Sequence, residues 1–500
     1  MGISGRAVRA LLLLIGFYAI GFGLLGALLA VNVVTAELDV PGALFGKVLV
    51  ATLIAAVPIL RGIFFTRGNR MRKAPGVALQ PEQQPLLWQR VGELARQSGT
   101  RPPKEIRLTA EVNAAVHENS RMLGLLPGKR RLFIGVPLLI GLSPSQFDAV
   151  LAHELGHYSN QDTRLAGLVH RGRASMTNTI RLYARTSGDG VLFSIYKGYG
   201  ELFLRNTHAI SRSQELAADL SAARIAGRDN TASALRQIPA LDAGFDFYLS
   251  RYATAGAAIG LLPTASEFLG GFGRLLADPK RNAELDRLRQ DLPEPEATPY
   301  DSHPPMRQRV AAIEALPDDG RGCDEGSAVA LIWQPERVFA SVAENLWTPE
   351  ARTKQQVDWA TLVHRTGRTR ALGQAQPLLD AAATAARIAG GLPLVLDMID
   401  NGWLDDLAAR LPEPADAYGS TGPARAQLLR TALAGRLTAL VQITLADQGR
   451  GGWPLSWAMT GGFTLSGHSS ADLTAAVAGA VSPTPATWPL RALLSVPPAN

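Results

Sequence analysis

The sequence predicts an α+β fold that is mainly helical, with three regions in chain order. Two apolar runs near the N-terminus predict a transmembrane helical hairpin over residues 1–66. Residues 67–320 combine strand-like segments with amphipathic helices, a pattern typical of a domain with a small β-sheet. Residues 325–500 are rich in alanine and leucine and predict a helical C-terminal domain, in which no motif indicates a role.

Composition excludes several classes of protein. Of the 500 residues, 47% are hydrophobic and 19% are charged, which excludes a disordered chain. The single cysteine, Cys323, excludes a disulfide framework and a cysteine-rich zinc knuckle. The net charge is +7, but no stretch interleaves lysine or arginine with aromatic residues, so we expect no nucleic-acid partner.

The N-terminal apolar runs are long enough to cross a bilayer, which needs about 20 apolar helical residues. Residues 10–36 contain no charged residue and predict the first span. Residues 43–65 predict the second, because their only charged residues, Lys47 and Arg61, lie near the ends and can reach the lipid headgroups. A cleaved signal peptide is the alternative, with residues 34–36 as the small-residue cleavage site.

Charged residues that flank the hairpin predict its orientation. Arg6 and Arg9 precede the first span, and the short connection carries Glu37 and Asp39 against Lys47. The cations at the end of the second span and after it are Arg61, Arg67, Arg70, Arg72 and Lys73. By the positive-inside rule both outer flanks face the cytoplasm. We therefore expect a cell-membrane protein with two spans in the lipid bilayer, the short connection Glu37–Lys47 outside, and the residues after about 66 on the cytoplasmic side.

Hydrophobic periodicity predicts the order of elements in the rest of the chain. The predicted helices before the C-terminal domain cover residues 80–98, 163–185, 191–210 and 211–226. The predicted strands are Ile106–Val116 and Arg131–Leu139, joined by a turn. Residues 277–302 are charged and proline-rich, so we expect a surface loop there. In the C-terminal domain, helix breaks are expected at Pro412–Pro423 and Gly449–Pro454.

A further helix begins with a strong start signal. Ser143 is a candidate N-cap, Pro144 occupies the first helical position and Gln146 completes a capping box. Apolar residues recur at helical spacing after this start. The helix therefore carries residues 153–157, whose sequence is H-E-L-G-H.

The H-E-x-x-H sequence of His153, Glu154 and His157 is typical of a zinc site. On a helix, positions i and i+4 share a face about one turn apart, so both imidazoles can bind one metal ion. Glu154 then lies beside the position where the ion activates water and can act as general base. The alternative is a solvated helix face with two unrelated histidines.

A catalytic zinc ion usually takes three protein ligands and leaves one position open. No third histidine follows at the spacing of the longer H-E-x-x-H-x-x-G-x-x-H motif, so the third ligand must come from elsewhere. Glu215 is the best candidate. Asp219, one helical turn later on the same face, suits a carboxylate that holds a ligand histidine through its other ring nitrogen. Spacing alone equally allows an exposed acidic face on an ordinary helix.

Several stretches in the same order make the chain resemble the HtpX-like and CAAX-prenyl-protease-like family of membrane zinc metallopeptidases. They are residues 112–115 (V-N-A-A), residues 153–157, the S-R-x-x-E-x-x-A-D stretch of residues 211–219, and residues 302–305 (S-H-P-P) with Arg309. The resemblance covers roughly residues 80–315. H-E-x-x-H alone is moderately specific, whereas its combination with S-R-x-x-E-x-x-A-D is strong.

The resemblance implies a zincin-type metallopeptidase domain and assigns roles to individual residues. His153, His157 and Glu215 match the family's zinc ligands, which would bind one Zn²⁺ per chain. Glu154 matches the catalytic base. Asp219 matches the carboxylate that supports a ligand histidine.

Two further positions match the family, and two features depart from it. Asn113 matches the asparagine of a strand that lies along the substrate. His303 matches a histidine near the metal, where it either steadies the oxyanion during catalysis or plugs the site; a structural histidine in a proline-bounded turn is the alternative. HtpX-type members carry further spans between the histidine helix and the third ligand, where this chain has no clean apolar run. After about residue 325 the chain matches nothing in the family.

The leading hypothesis is therefore a membrane-anchored zinc endopeptidase that hydrolyses peptide bonds of polypeptides. The family implies misfolded or membrane proteins as substrates, and hence a role in membrane-protein quality control. Prenyl-peptide processing is less expected, because the sequence lacks the multi-span chamber that would hold a lipid chain. The alternative is a membrane-tethered chaperone-like or binding module whose zinc site is auto-inhibited by His303.

Overall fold

A computed structural model describes residues 3–38, 40–64, 74–118, 129–157, 191–292, 304–322, 324–467 and 469–495. The chain divides into two compact units. The first comprises Met1–Phe245 and Asn282–Leu346, and the second comprises Asp246–Arg281 and Trp347–Asn500. The division into three domains at residues 66 and 320–325 stays a prediction. Among the described residues the protein is mainly helical with small sheets, as expected from the sequence.

A helical hairpin begins the first unit. Helices α1 (Ile3–Glu37) and α2 (Gly42–Phe64) pack against each other. Within α1, the stretch Ile15–Glu37 is long and apolar enough to cross a membrane, whereas the apolar part of α2, Gly42–Val57, is shorter. Both segments predicted to span the bilayer are therefore helical.

The strands of the first unit form one mixed sheet. They are β1 (Val77–Leu79), β2 (Glu105–Thr109), β3 (Ala114–Glu118) and β4 (Arg130–Gly135), in the spatial order β1-β2-β4-β3. β2 and β4 are parallel, whereas β1 and β3 run antiparallel to their neighbours. Ile106, Leu108, Leu132 and Ile134 are fully buried in facing pairs. Among the described residues, β3 forms an edge of this sheet.

Helices complete the first unit around this sheet. They are α3 (Pro85–Gln97), α4 (Val136–Gly141), α5 (Pro144–Gly156), α6 (Val191–Ala226), most of α7 (Arg228–Tyr248), most of α9 (Pro279–Gln290), α10 (Met306–Glu314) and α11 (Pro335–Leu346). α5 contacts α3 on one side and the edge strand β3 on another, and it packs along α6. The helix that carries the H-E-x-x-H sequence is thus held between the sheet and the longest helix of this group.

Helix α6 connects the hairpin with α5. In its first half, Phe203 is buried together with Phe17 of α1 and Ile59 of α2. Tyr199 Oη also donates a hydrogen bond of 2.7 Å to the carbonyl oxygen of Leu13. The second half of α6 carries the residues that face α5. One continuous helix therefore contacts both the hairpin and the H-E-x-x-H helix.

The second unit has a core of alanine and leucine side chains. Its helices are α8 (Ala265–Ala277), α12 (Pro349–Arg352), α13 (Trp359–Ala386), α14 (Leu392–Asp400), α15 (Leu404–Arg410), α16 (Gly422–Asp447), α17 (Ser470–Ala480) and α18 (Trp488–Ser495). Two short sheets, β5 (Leu261–Pro263) with β6 (Gln355–Val357) and β7 (Gly451–Gly452) with β8 (Thr464–Leu465), belong to it. α16 is also long and apolar enough to cross a membrane. We assign it to the interior of the unit, because Leu433 and Leu437 are fully buried in that core.

The predicted strands differ from the observed ones in extent. The segment Ile106–Val116 contains two strands, β2 and β3, because they lie on opposite sides of β4 and run in opposite directions, which requires the chain to reverse at residues 110–113. The segment Arg131–Leu139 leaves the sheet at Gly135 and continues as α4. Pro137 explains this change, because it has no N–H for a strand ladder and suits the first turn of a helix.

Two helix predictions also need correction. Residues 191–210 and 211–226 form the single helix α6, since nothing between them breaks a helix. The surface loop expected over residues 277–302 contains α9, whose start is capped: Asp278 Oδ1 accepts hydrogen bonds from the backbone N–H groups of Lys280 and Arg281. The helix predicted over residues 163–185 lies outside the described residues.

Candidate metal centre

The H-E-x-x-H sequence lies in the last turn of α5, and the expected start signal of this helix is confirmed. Ser143 Oγ accepts a hydrogen bond of 3.3 Å from the Gln146 N–H, and Gln146 Oε1 accepts one of 3.0 Å from the Ser143 N–H. Pro144 follows at the first helical position. These two reciprocal hydrogen bonds fix the residue at which the helix begins, and residues 153–157 follow in its last turn.

Helix α6 approaches α5 closely beside this sequence. A Cβ atom built on Gly156 would lie 3.5 Å from the Cα atom of Ala218, which is ordinary contact for one methyl group but leaves no room for a larger side chain. The small residues at this contact let α6 bring Glu215 and Asp219 up to His153. Both carboxylates are buried, at 4% and 0% exposure, so the exposed acidic face that spacing alone allowed is wrong.

Three side chains converge on one point. His153 Nε2 lies 3.2 Å from His157 Nε2 and 3.5 Å from Glu215 Oε2, and His157 Nε2 lies 3.7 Å from Glu215 Oε1. One donor atom from each residue lies within 4.8 Å of the others. Zinc bonds of about 2.0–2.2 Å in tetrahedral geometry place ligand atoms about 3.3 Å apart. The spacing and the nitrogen and oxygen donors therefore fit a single zinc ion.

A buried carboxylate orients the first of these histidines. Asp219 Oδ1 lies 2.8 Å from His153 Nδ1, so Nδ1–H donates to the carboxylate and Nε2 keeps its lone pair for a metal. Arg309 of α10 holds the same carboxylate with two hydrogen bonds, 2.8 Å from Nε to Oδ2 and 2.7 Å from Nη2 to Oδ1. Arg309 is itself buried and reaches to within 4.0 Å of Glu215 Oε2.

The electrostatics of the site follow from this arrangement. Burial lowers the pKa of His153, but hydrogen bonds with Asp219 and Glu215 outweigh it and raise the pKa to about 9. Burial raises the pKa of Asp219, but Arg309 and His153 outweigh it and lower the pKa below its ordinary value. The buried carboxylates therefore make the position that the three donors surround favourable for a positive charge.

Sequence reasoning gave no role to Arg309. Its position six residues after His303 in the S-H-P-P stretch was the only signal, because nothing local predicts that α10 turns a guanidinium into the interior of the unit. The reason is visible only in three dimensions: Asp219 and Glu215 are two buried carboxylates, and a cation between α10 and α6 offsets the cost of burying them.

The sequence predicted three further site residues, and the structure describes two of them. Glu154 is half-buried beside His153 on α5. Asn113 is exposed at the start of the edge strand β3, and its carbonyl oxygen accepts a hydrogen bond of 2.8 Å from the Gly135 N–H of β4. His303 lies outside the described residues.

Comparisons with known proteins agree with this site. Residues 81–316 match Peptidase family M48. A "Protease HtpX homolog" of Archaeoglobus fulgidus is 25% identical over 239 residues, which cover 45% of this chain and 66% of that protein. "Protease HtpX" of Shewanella halifaxensis is 27% identical over 251 residues, or 46% and 73% of the two chains, and that of Vibrio parahaemolyticus is 24% identical over 221 residues, or 40% and 74%. No solved structure gives a significant match.

The matched region is similar to the M48 peptidase family, and the relatives that it matches are named as HtpX proteases. The resemblance expected from the motifs is thus confirmed, and the comparisons do not favour the chaperone-like alternative. The alignments span 66% to 74% of these relatives, and less than half of this chain. Residues after 316 lie outside the family match.

Proposed function

We propose that the protein is a membrane-anchored, zinc-dependent endopeptidase that holds one Zn²⁺ ion between His153, His157 and Glu215. The observation that carries this proposal is the convergence of the three donor atoms within 4.8 Å, with spacings that suit a tetrahedral ion. When bound, zinc supplies Lewis acidity to the water and to the scissile carbonyl group.

The side chains around the donors supply the proton chemistry and the orientation. Glu154 takes a proton from the attacking water and passes it to the amine leaving group. Asp219 keeps His153 in the tautomer whose Nε2 faces the ion, and Arg309 keeps Asp219 in place through two charged hydrogen bonds. His303 would then act on the oxyanion or block the open position.

The edge strand β3 supports extended binding of a polypeptide. An edge strand can pair with a substrate strand through main-chain hydrogen bonds, which recognise any sequence, and α5 packs against this strand. Asn113, exposed where β3 begins, would hold the substrate backbone at that end. Such binding suits unfolded segments, because a folded protein rarely presents a free strand.

Misfolded and membrane proteins are the substrates we favour, because the candidate metal centre lies near the hairpin. Phe203 of α6 is buried against Phe17 and Ile59, and Glu215 follows on the same helix about 18 Å further along its axis. A hairpin in the bilayer would thus hold the zinc site within about 20 Å of its own packed side chains. Segments that leave the membrane could reach it.

We further propose that residues after 66 face the cytoplasm, because basic residues flank the hairpin on both outer sides. Labelling of intact cells with a membrane-impermeant thiol reagent tests this. In a Cys323→Ser background, a cysteine at exposed Gly42 should react before lysis, whereas one at exposed Gly322 should react only afterwards. Reaction at Gly322→Cys in intact cells would place the peptidase domain outside.

The proposed activity is tested by removing and restoring the metal. The purified full-length chain should hydrolyse an unfolded polypeptide, lose this activity on treatment with a zinc chelator, and regain it with about one equivalent of Zn²⁺ per chain. Hydrolysis that a chelator leaves unchanged would contradict a zinc peptidase. Zinc binding without any hydrolysis would favour the binding module instead.

A further inference from the structure

A cluster of cations lies at one end of the sheet in the first unit, far along the strands from Asn113. It consists of Arg101, Lys104, Arg107, Lys129, Arg130 and Arg131, and we refer to it as the basic end of the sheet. The register explains the cluster: Glu105 of β2 pairs with Arg131 of β4, and Glu118 of β3 pairs with Arg130. The starts of two strands and the end of a third therefore meet there.

Two carboxylates pair with five of these six cations. Glu105 forms ion pairs with Arg107 Nη1 at 2.8 Å, Lys129 Nζ at 2.9 Å and Arg131 Nε at 3.0 Å. Burial raises the pKa of Glu105, but the cations outweigh it and lower the pKa to about 2, so its negative charge is kept at neutral pH. Because three cations surround this one carboxylate, an excess of positive charge remains around Glu105.

Around the second carboxylate, Glu118, positive charge is again in excess. Glu118 lies 3.3 Å from Arg130 Nε and 3.8 Å from Arg101 Nη2. The side chains of Arg101 and Lys129 are 68% and 49% exposed, and Lys104 is exposed with no ion-pair partner among the described residues. The two acids are thus less exposed than these three cations, and the six cations outnumber them, a distribution that suits an anionic surface.

Hydrogen bonds link this cluster to the segment that follows the hairpin in the chain. Arg107 donates hydrogen bonds to the carbonyl oxygens of Ala74, Pro75 and Gly76, at 2.8, 2.8 and 2.6 Å. α2 ends at Phe64, so at most about 35 Å of extended chain separates the hairpin from this contact. A cation cluster so close to an apolar hairpin would lie within reach of the headgroups of the same bilayer.

We propose that the basic end of the sheet binds anionic lipid headgroups of the membrane that holds the hairpin. The inference rests on the proposed membrane anchoring but not on catalysis. Lipid is favoured over nucleic acid as the polyanion, because the short chain between the end of α2 and Ala74 keeps the cluster near a bilayer. Binding would hold the sheet, with the edge strand β3, against the membrane surface.

The test uses a fluorophore placed inside the cluster without removing a cation. Pro102 is exposed between Arg101 and Lys104, so Pro102→Cys in a Cys323→Ser background carries the label. The full chain is reconstituted into lipid nanodiscs that contain a headgroup-attached quencher, either with phosphatidylcholine alone or with about one third phosphatidylglycerol. Co-elution with the discs reports anchoring separately, so a failure of the hairpin to insert is distinguished from a failure of the cluster to bind.

Quenching should be strong only in the anionic discs, and it should disappear at about 1 M salt, where the screening length is about 3 Å. Arg101→Glu with Lys104→Glu should weaken docking by at least about 25-fold, since each cation near an anionic surface contributes about fivefold. The matched control, Arg365→Glu with Arg370→Glu, changes two exposed cations of the second unit and should leave quenching unchanged.

Three outcomes would overturn the proposal. Quenching that is equal in neutral and anionic discs would remove its electrostatic basis. Quenching that survives Arg101→Glu with Lys104→Glu would assign it to other residues. Binding of a labelled oligonucleotide that needs Arg101 and Lys104, without any effect of anionic lipid, would assign the cluster to nucleic acid.

Discussion

The two units of the chain differ in where their charged side chains lie. In the first unit, His153, Glu215, Asp219 and Arg309 are buried together at the candidate metal centre. In the second unit the core is mainly alanine and leucine, ion pairs such as Arg368 with Asp447 join exposed side chains, and the buried Arg450 belongs to no cluster of paired charges among the described residues. Burying charge costs stability unless every group is paired, whereas an exposed pair contributes little either way. The buried network therefore indicates a functional site, and substitutions in the two units should differ in their effects.

The largest effect is expected for Glu215→Ala. This change removes one of the three donors around the metal position, so the variant should lose both bound zinc and peptide hydrolysis. Metal content by mass spectrometry and hydrolysis of an unfolded polypeptide measure the two losses. Arg224→Ala, an exposed position on the same helix, is the control and should keep both. Normal zinc content in Glu215→Ala would require another third ligand.

Removal of Arg309 should affect both stability and chemistry. Arg309→Ala leaves the buried Asp219 carboxylate without its guanidinium, which should lower the free energy of unfolding by about 3–5 kcal/mol. Activity should fall about 10–100-fold, because His153 loses a fixed partner. Unfolding in detergent and steady-state rates measure these changes. The pair Arg309→Leu with Asp219→Leu should recover stability but not activity; recovery of both would make the network purely structural.

A core change in the second unit should act on stability alone. Leu433 of α16 is fully buried, so Leu433→Ala should cost about 2–5 kcal/mol in the free energy of unfolding. Zinc content of the folded chain should not change. Leu372→Ala, at a side chain that is 39% exposed, is the matched control and should cost much less. Loss of zinc in Leu433→Ala under folding conditions would contradict the contrast between the units.

The smallest effect is expected at a surface ion pair of the second unit, whose Arg430 side chain is 19% exposed. Arg430 donates hydrogen bonds of 2.8 and 2.9 Å to Asp405, and the Asp405 side chain is 68% exposed, so Arg430→Gln should cost no more than about 1 kcal/mol. The hydrogen bonds from Arg430 lower the pKa of Asp405 below its ordinary value. The contribution should therefore be present above about pH 4 and lost as the pH falls through the folded-state pKa, which unfolding at several pH values can measure. A larger cost at neutral pH would show that this pair is not a simple surface contact.

Local sequence signals predicted the parts of the fold that are decided locally. The start of α5 follows from Ser143 and Gln146, whose side chains bond to each other's backbone within one turn. The grouping of His153 with His157 follows from helical spacing alone. The hairpin helices follow from the length of two apolar runs.

Other features depend on contacts between distant segments. The split of one predicted strand into β2 and β3 is decided by β4, which pairs with both. The approach of Glu215 to α5 was expected from family resemblance rather than spacing, since spacing equally allowed an exposed carboxylate. The role of Arg309 depends on the packing of α10 against α6, which no local pattern encodes.

The central claim is that the described donors hold zinc and that Glu154 supplies the base, and Glu154→Gln tests it most directly. The change keeps the shape of the side chain and removes its basicity without touching His153, His157 or Glu215. Zinc content should stay at one ion per chain while hydrolysis falls by at least about 10²–10⁴-fold. Glu336→Gln, at an exposed glutamate of α11, should retain full activity. Undiminished hydrolysis by Glu154→Gln with zinc bound would contradict the account.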